Sequence, residues 1–357
     1  MDVSTRVVSQ RAWIEVNLGN LVENARAVQA AAGGVPLLPM VKADAYGLGA
    51  VQCARALEAL DPWGYGVATI PEGAALRRTG IARPIVVFTP AGESLLEEYH
   101  RHEFRAVLDD PGTVAVWDRP FHLEIDTGMS RCGVRWTERE RIARCASPHL
   151  EGVFTHLHSA DTSPGSVADQ MARFGEAIAA LPERPPLVHV ANSAGAWRLE
   201  DPFDLARPGI FLYGGRAGPD LPRPRAVAAV RATVVSVRTV SAGDSVSYGA
   251  DWRAPVGTRI ATLGIGYADG VPRSVVGSGC VLIAGERRPI VGRVTMDFIM
   301  IDVGTDERID VGDVATLIGA TGADEITLDE FAGWADTISY EILVRLGPRL
   351  ERRYRGP

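Results

Sequence analysis

The sequence predicts an α/β barrel followed by a mostly-β domain, and three observations carry that reading. Short apolar strands alternate with amphipathic stretches over the first two-thirds of the chain. A proline-broken stretch, Leu221-Pro-Arg-Pro-Arg225, then interrupts the pattern. Beyond it come valine-rich alternating runs punctuated by Gly and Asp. Strands are expected at 37–42, 65–68, 85–88, 105–108, 122–126, 152–156, 187–190 and, more briefly, 205–207. Between them, helical periodicity marks 18–32, 50–60, 71–79, 137–145 and 167–180. Eight strand–helix units over about 200 residues suit a (β/α)8, TIM-like barrel. A doubly wound open sheet is the alternative, but no GxGxxG follows the first strand. In the second part, the alternating runs 226–240, 259–264, 280–283, 290–294, 298–303 and 314–319 have the texture of an all-β domain. The boundary is expected near 225, giving a barrel over 12–225 and a β domain over 226–357. Residues 12–16 are also strand-like and could pair with the second domain, with 1–11 as a candidate addition to it.

Composition narrows the function. A chain of 357 residues exceeds the usual single-domain size, and 46% hydrophobic with 23% charged residues describes an ordinary globular protein. A net charge of −7 with dispersed arginines argues against a nucleic-acid partner. No apolar run reaches membrane-spanning length, and the opening residues lack a signal-peptide core, so a cytoplasmic protein without a membrane partner is expected. Cys53, Cys132, Cys145 and Cys280 show neither CxxC nor metal-ligand spacing; they read as reduced thiols, and no metal site is expected.

The basic residues are lopsided. Of 37, only Lys42 is lysine; the other 36 are arginine. A guanidinium stays protonated, whereas a primary amine can become nucleophilic and form an imine with a carbonyl. Lys42 ends the first expected barrel strand, where barrel active sites lie, and the glycines after it permit a tight turn.

Residues 41–49, Val-Lys-Ala-Asp-Ala-Tyr-Gly-Leu-Gly, resemble the pyridoxal-phosphate lysine motif of alanine racemases. The resemblance runs over essentially the whole chain through several motifs in the same order. It implies that Lys42 holds pyridoxal 5'-phosphate as an imine and, once freed by substrate, is one of two acid/base groups. Burial beside cations should lower its pKa, which suits proton transfer near neutrality. Tyr46 matches a tyrosine near the cofactor phosphate. In Leu123-Glu-Ile-Asp-Thr-Gly-Met-Ser-Arg-Cys-Gly133, Arg131 matches the arginine near the cofactor phenolate and substrate carboxylate. Some family members carry a carbamylated lysine where this chain has Glu124, and the expectation is that the Glu124 carboxylate substitutes for it directly.

The resemblance further implies that His156 lies against the pyridine ring, that Ser193 is a phosphate ligand with Asn192 beside it, and that the backbone N–H groups of Gly209 and Ile210 bind phosphate. Arg207 matches the arginine facing the pyridine nitrogen. A donor-only guanidinium there makes the ring a weaker electron sink than a carboxylate would, favouring α-proton exchange over transamination. In the second domain, Tyr248 of Ser247-Tyr-Gly249 matches the opposite acid/base, delivered from the neighbouring subunit. Racemisation needs proton donors on both faces of a planar α-carbon. A phenol, with an ordinary pKa near 10, needs cationic company to act as a base, and Arg131 could supply it. Tyr267 would line the entrance, Met296 and Asp297 would lie near substrate, and Tyr340 would reach the phosphate or entrance.

These residues imply a pyridoxal-phosphate isomerase interconverting L- and D-alanine to supply peptidoglycan, in a homodimer whose active sites are shared between chains. Two other readings are a racemase of another small amino acid such as serine, and a related barrel enzyme that decarboxylates amino acids or cleaves hydroxy amino acids. The intact Ser-Tyr-Gly and Gly-Arg-x-x-Met-Asp segments favour the racemase. A non-enzymatic cofactor carrier would need neither Tyr248 nor the roughly 130 residues after 225. Two stretches fit the family pattern less well, 213–218 and the tail 346–354, and they bear on the entrance region and the substrate.

Overall fold

Six short strands run through one all-parallel sheet in the order Tyr65–Val67, Ile85–Val87, Arg105–Leu108, Phe121–Asp126, Leu150–Phe154 and Leu187–His189, and a seventh, Val134–Arg135, pairs beside Phe121–Asp126. The computed structural model describes residues 10–356. The first five of the six are buried apart from Arg105, Leu150 and Glu151, as expected of strands covered on both faces, and their charged or imidazole side chains are Arg105, His122, Glu124, Asp126 and Glu151. Two of the helices between them start at side-chain caps. Thr69 and Glu72 form a capping box on Ile70–Arg78, and Asp110 accepts from Thr113 N–H ahead of Pro111–Val116.

The first and eighth expected strands are not regular strands. Residues 36–41 instead bridge the sheet's two sides: Leu38 N–H donates to Ala206 O (2.7 Å), Met40 N–H to Pro208 O (2.9 Å) and Val41 N–H to Gly66 O (2.8 Å). Asp204 N–H and Arg207 N–H in turn reach Val188 O and Ala191 O. Pro36, Pro39 and Pro208 lack the N–H a continuous ladder needs, so the barrel closes through single bridges. Leu38, Val86, Val107 and Phe154 pack as one apolar cluster in this unit, which spans residues 21–225.

The second unit comprises 226–356 with 10–20 among the described residues. Its nine-stranded sheet is antiparallel apart from one edge pairing, and Val314–Thr321 pairs back onto Ala228–Val240, which closes six strands into a ring. Ala12–Asn17, counted with the barrel in the expected range although its pattern also suited the second domain, lies in this sheet between Ala228–Val240 and Glu351–Arg355. Residues 1–9, the rest of the candidate addition apart from Gln10 and Arg11, lie outside the described residues. Among the described residues no helix is long and apolar enough to cross a membrane, and no cluster of His, Cys, Asp and Glu could hold a metal ion.

Candidate active site

Lys42 opens a turn of the wrong hand. Ala43, Asp44, Ala45 and Tyr46 have φ of 51°, 53°, 53° and 56°, a left-handed helical turn ending on Gly47. Each such non-glycine residue costs roughly 1–2 kcal/mol. The surroundings hold it in place: the Glu72 carboxylate accepts from Ala43 N–H (2.8 Å), Ala68 N–H (2.7 Å) and Thr69 N–H (3.2 Å), and Asp44 accepts from Ala50 N–H (2.7 Å). The glycines expected to permit a tight turn do take positive φ, 84° at Gly47 and 96° at Gly49, but the four residues before Gly47, all with side chains, adopt the left-handed conformation as well. Strain retained this way is characteristic of functional sites.

The half-buried Lys42 amine has its pKa lowered by burial first, then by the positive charge of Arg131; Glu72 opposes and Arg207 adds. His156 is pushed down to about 3 by burial, then by Arg207, Arg131 and Lys42, so it is neutral. Glu124, buried within its strand, is pushed up to about 7 by burial, against the pull of Arg131 and Arg207. Lys42, Glu124, Arg131, His156 and Arg207 are therefore brought into one electrostatic neighbourhood. Arg131 itself is exposed, on the loop after the Phe121–Asp126 strand.

Arg207 is buried, and burial lowers its pKa to about 10, with Glu124 opposing and Arg131 adding; it remains a cation at neutral pH. Nη1 donates to His189 Nδ1 (2.8 Å) and to the His189 carbonyl, and Nη2 donates to the carbonyls of Thr155 (2.8 Å) and Val190 (3.4 Å). Among the described residues this uses four of its five N–H donors, leaving the one at Nε.

A second group lies at the next barrel loops. Ser193 Oγ accepts from Gly209 N–H (2.9 Å) and Phe211 N–H (3.4 Å), which leaves its own proton to donate. Tyr46 stacks on Tyr213 with centroids 4.7 Å apart, and its hydroxyl lies where a Cβ on residue 209 would stand, so only glycine fits. Ile210 opens the short turn Ile210–Tyr213. Asn192 is occupied locally: Oδ1 accepts Gly195 N–H (2.8 Å) and Nδ2 donates to Leu157 O (3.5 Å). The donor set fits pyridoxal phosphate. It offers an amine with lowered pKa for the aldehyde, a hydroxyl and a side-chain-free backbone position for the phosphate, and a guanidinium N–H for the ring nitrogen.

In the β unit, the motif loops interlock. Ser247 Oγ donates to Arg293 O (2.7 Å), while Tyr267 N–H and Ala268 N–H donate to Thr295 O (2.9 Å) and Met296 O (3.1 Å). This brings Tyr248, Tyr267 and Met296 onto one assembly, and they are exposed by 70%, 44% and 52%. Asp297 is tied to Arg349 (2.6 Å) and Arg11 (3.5 Å), which also bind the buried Asp269. Tyr340 lies on a separate helix, Ser339–Arg345, and is exposed. Sequence reasoning missed Glu72, Tyr213, His122 and His189. His189 had one available signal, an imidazole ending an otherwise apolar strand; His122 shares its strand with Glu124 and Asp126 and does not stand out.

The comparisons agree over both units. Residues 16–217 match the family model "Alanine racemase, N-terminal domain" and residues 227–354 match "Alanine racemase, C-terminal domain". The chain is 40% identical to the alanine racemase of Deinococcus deserti over 97% of this chain and 99% of that one. It is 36% identical to that of a Nostoc species over 96% of each. Among solved structures, the alanine racemase of Bacillus anthracis with bound L-Ala-P has a TM-score of 0.90 at 31% identity, covering 97% of this chain and 95% of that chain. The alanine racemase of Bartonella henselae with covalently bound pyridoxal phosphate has 0.88 at 30%, covering 97% and 100%. By full-length family match and identity, the chain belongs to the alanine racemase family.

Proposed function

We propose that this protein is a pyridoxal-phosphate-dependent alanine racemase, a cytoplasmic homodimeric isomerase that supplies D-alanine for peptidoglycan. The observation that carries the reading is the one lysine of the chain, held by a strained turn with its pKa lowered by burial and Arg131. Bound pyridoxal phosphate would supply an aldehyde for that amine and an electron sink that loosens the substrate's α-proton. Ser193 and the Ile210 N–H would bind the phosphate, with Gly209, whose own N–H is held by Ser193 Oγ, allowing its close approach, and with Tyr46, Tyr340 and Asn192 beside it. His156, neutral, would lie against the ring, and Arg207 would donate its remaining N–H to the ring nitrogen. Arg131 would hold the substrate carboxylate, with Glu124 holding Arg131.

The proton chemistry then needs two groups on opposite faces of the α-carbon. Lys42 serves one face as an amine whose pKa is lowered by burial and then by Arg131, which eases its loss of a proton. Tyr248 of the neighbouring subunit serves the other, and its high exposure on the interlocked loops supports delivery to a partner chain. Tyr267, Met296 and Asp297 would border the entrance and substrate. The test is the purified protein with pyridoxal phosphate, assayed by chiral chromatography on L-alanine, L-serine and L-lysine. D-alanine formation from L-alanine, with α-deuterium uptake from heavy water, is the expected result; decarboxylated or cleaved products, or no exchange, overturn the proposal.

A further inference from the structure

Behind Arg207 runs a line of polar groups, buried at its two histidines and half-buried at its far end, that neither the amine nor the phosphate cradle uses. Arg207 Nη1 meets His189 Nδ1 at 2.8 Å, His189 Nε2 meets His122 Nδ1 at 2.7 Å, and His122 Nε2 meets a Glu151 carboxylate oxygen at 3.3 Å. Arg105 closes the line by donating to both Glu151 oxygens, at 3.1 and 3.4 Å. Both imidazoles are fully buried. Strand register assembles the line: His122 pairs with Gly152, and Phe154 pairs with His189. A Cβ on residue 152 would stand 2.6 Å from His122 Nδ1, so only glycine leaves room for the ring. Phe154 stacks on His189 at 4.9 Å and lies 5.0 Å from the Arg207 guanidinium, which fixes the other end.

The chemistry of the first member sets the direction of the rest. A guanidinium has no acceptor, so His189 Nδ1 must be the bare nitrogen. A neutral His189 then carries its proton on Nε2 and donates it to His122 Nδ1. That nitrogen accepts, so the His122 proton sits on Nε2 and is donated to Glu151. Burial lowers the pKa of both histidines; the charge of Arg207 adds to this, and Glu151 opposes it at His122, which keeps both rings neutral. Every hydrogen bond from Arg207 to Glu151 points the same way, and no other arrangement of neutral rings satisfies it.

We infer that Glu151 and His122 are positioning residues that act on Arg207 through His189, polarising the two imidazoles in series so that the guanidinium is held, charged and oriented, at the site. The inference deepens the racemase reading and rests on it for its consequence in turnover; the hydrogen-bond directions do not depend on it. Glu151 sits outside every motif that identified the family, and its effect on Arg207 is exerted through two intervening rings.

Nitrogen-15 NMR of histidine-labelled protein loaded with pyridoxal phosphate tests the direction. His122 and His189 should each show a protonated Nε2 and a bare Nδ1, with no titration from about pH 6 to pH 9 although an ordinary histidine titrates near 6.5. A protonated Nδ1 or an imidazolium at either residue overturns the inference. In Glu151→Gln, which keeps the shape and removes the charge, the low-field protons of both histidines should shift together. The absorbance of the bound cofactor should shift with them, and kcat should fall about tenfold at unchanged KM and cofactor occupancy. A response confined to His122, or one that leaves both absorbance and kcat at wild-type values, reduces the line to a structural scaffold and overturns the proposal. If the wild-type protein has no turnover, the racemase reading is what fails, and the joint shift of histidine and cofactor signals still decides the coupling.

Discussion

Removing the Lys42 amine removes the only side chain able to form an imine with an aldehyde. Lys42→Ala is expected to abolish the imine absorbance near the visible edge and all turnover, checked by spectrophotometry of the protein with added cofactor. Tyr248→Phe should keep that absorbance and lose roughly a thousandfold in kcat, the scale of one missing acid/base group; normal racemisation by this variant would end the two-base assignment. Glu124 gives a pH prediction. Folding raises its pKa from 4.5 to about 7, so the native state holds the proton more tightly than the unfolded chain does. The cost of its buried charge is absent below about pH 4.5 and complete above about pH 7, amounting to roughly 3 kcal/mol. In Glu124→Gln, both the ionisation near 7 in the pH profile of kcat/KM and this decline in stability should vanish; urea unfolding at pH 5 and pH 8 measures the second. Lys42 was legible because chemistry distinguishes it from 36 arginines. Glu151, His122 and His189 were not, because they stand on three strands and only the register brings them into line.

The left-handed turn after Lys42 is the element whose conformation sequence did not disclose. Ala-Asp-Ala-Tyr contains no glycine, and its alanines are the best helix formers, so local preference points to the opposite hand. What overrides preference is tertiary: one Glu72 carboxylate receives three backbone N–H groups from two separate segments. Glu72→Ala should therefore lower stability by about 1–3 kcal/mol and reduce cofactor retention, read by urea unfolding and by cofactor dialysis. Ala43→Gly should act oppositely, adding up to about 1 kcal/mol, since glycine adopts positive φ without the Cβ penalty. The six regular barrel strands were readable from apolar runs with helical stretches between them. The first and eighth were over-read, because apolar content alone does not reveal that prolines will remove ladder donors.

At the scale of the whole molecule, the change of texture after residue 225 made two structural styles visible, whereas the membership of Ala12–Asn17 depended on pairing with strands more than 200 residues away. If each site combines Lys42 of one chain with Tyr248 of the other, two dead variants can rescue each other. Lys42→Ala and Tyr248→Phe, unfolded and refolded together, should recover about a quarter of wild-type activity, since half the dimers are mixed and each mixed dimer has one intact site. No recovery would mean that each chain completes its own site. The single lysine has a practical consequence as well. An amine-directed reagent that modifies this protein at one side chain counts active centres directly. Occupancy, protection by ligand and inactivation can then be followed at one side chain, with label on an α-amine distinguished by peptide mapping, and without the scatter of surface labelling that lysine-rich enzymes show.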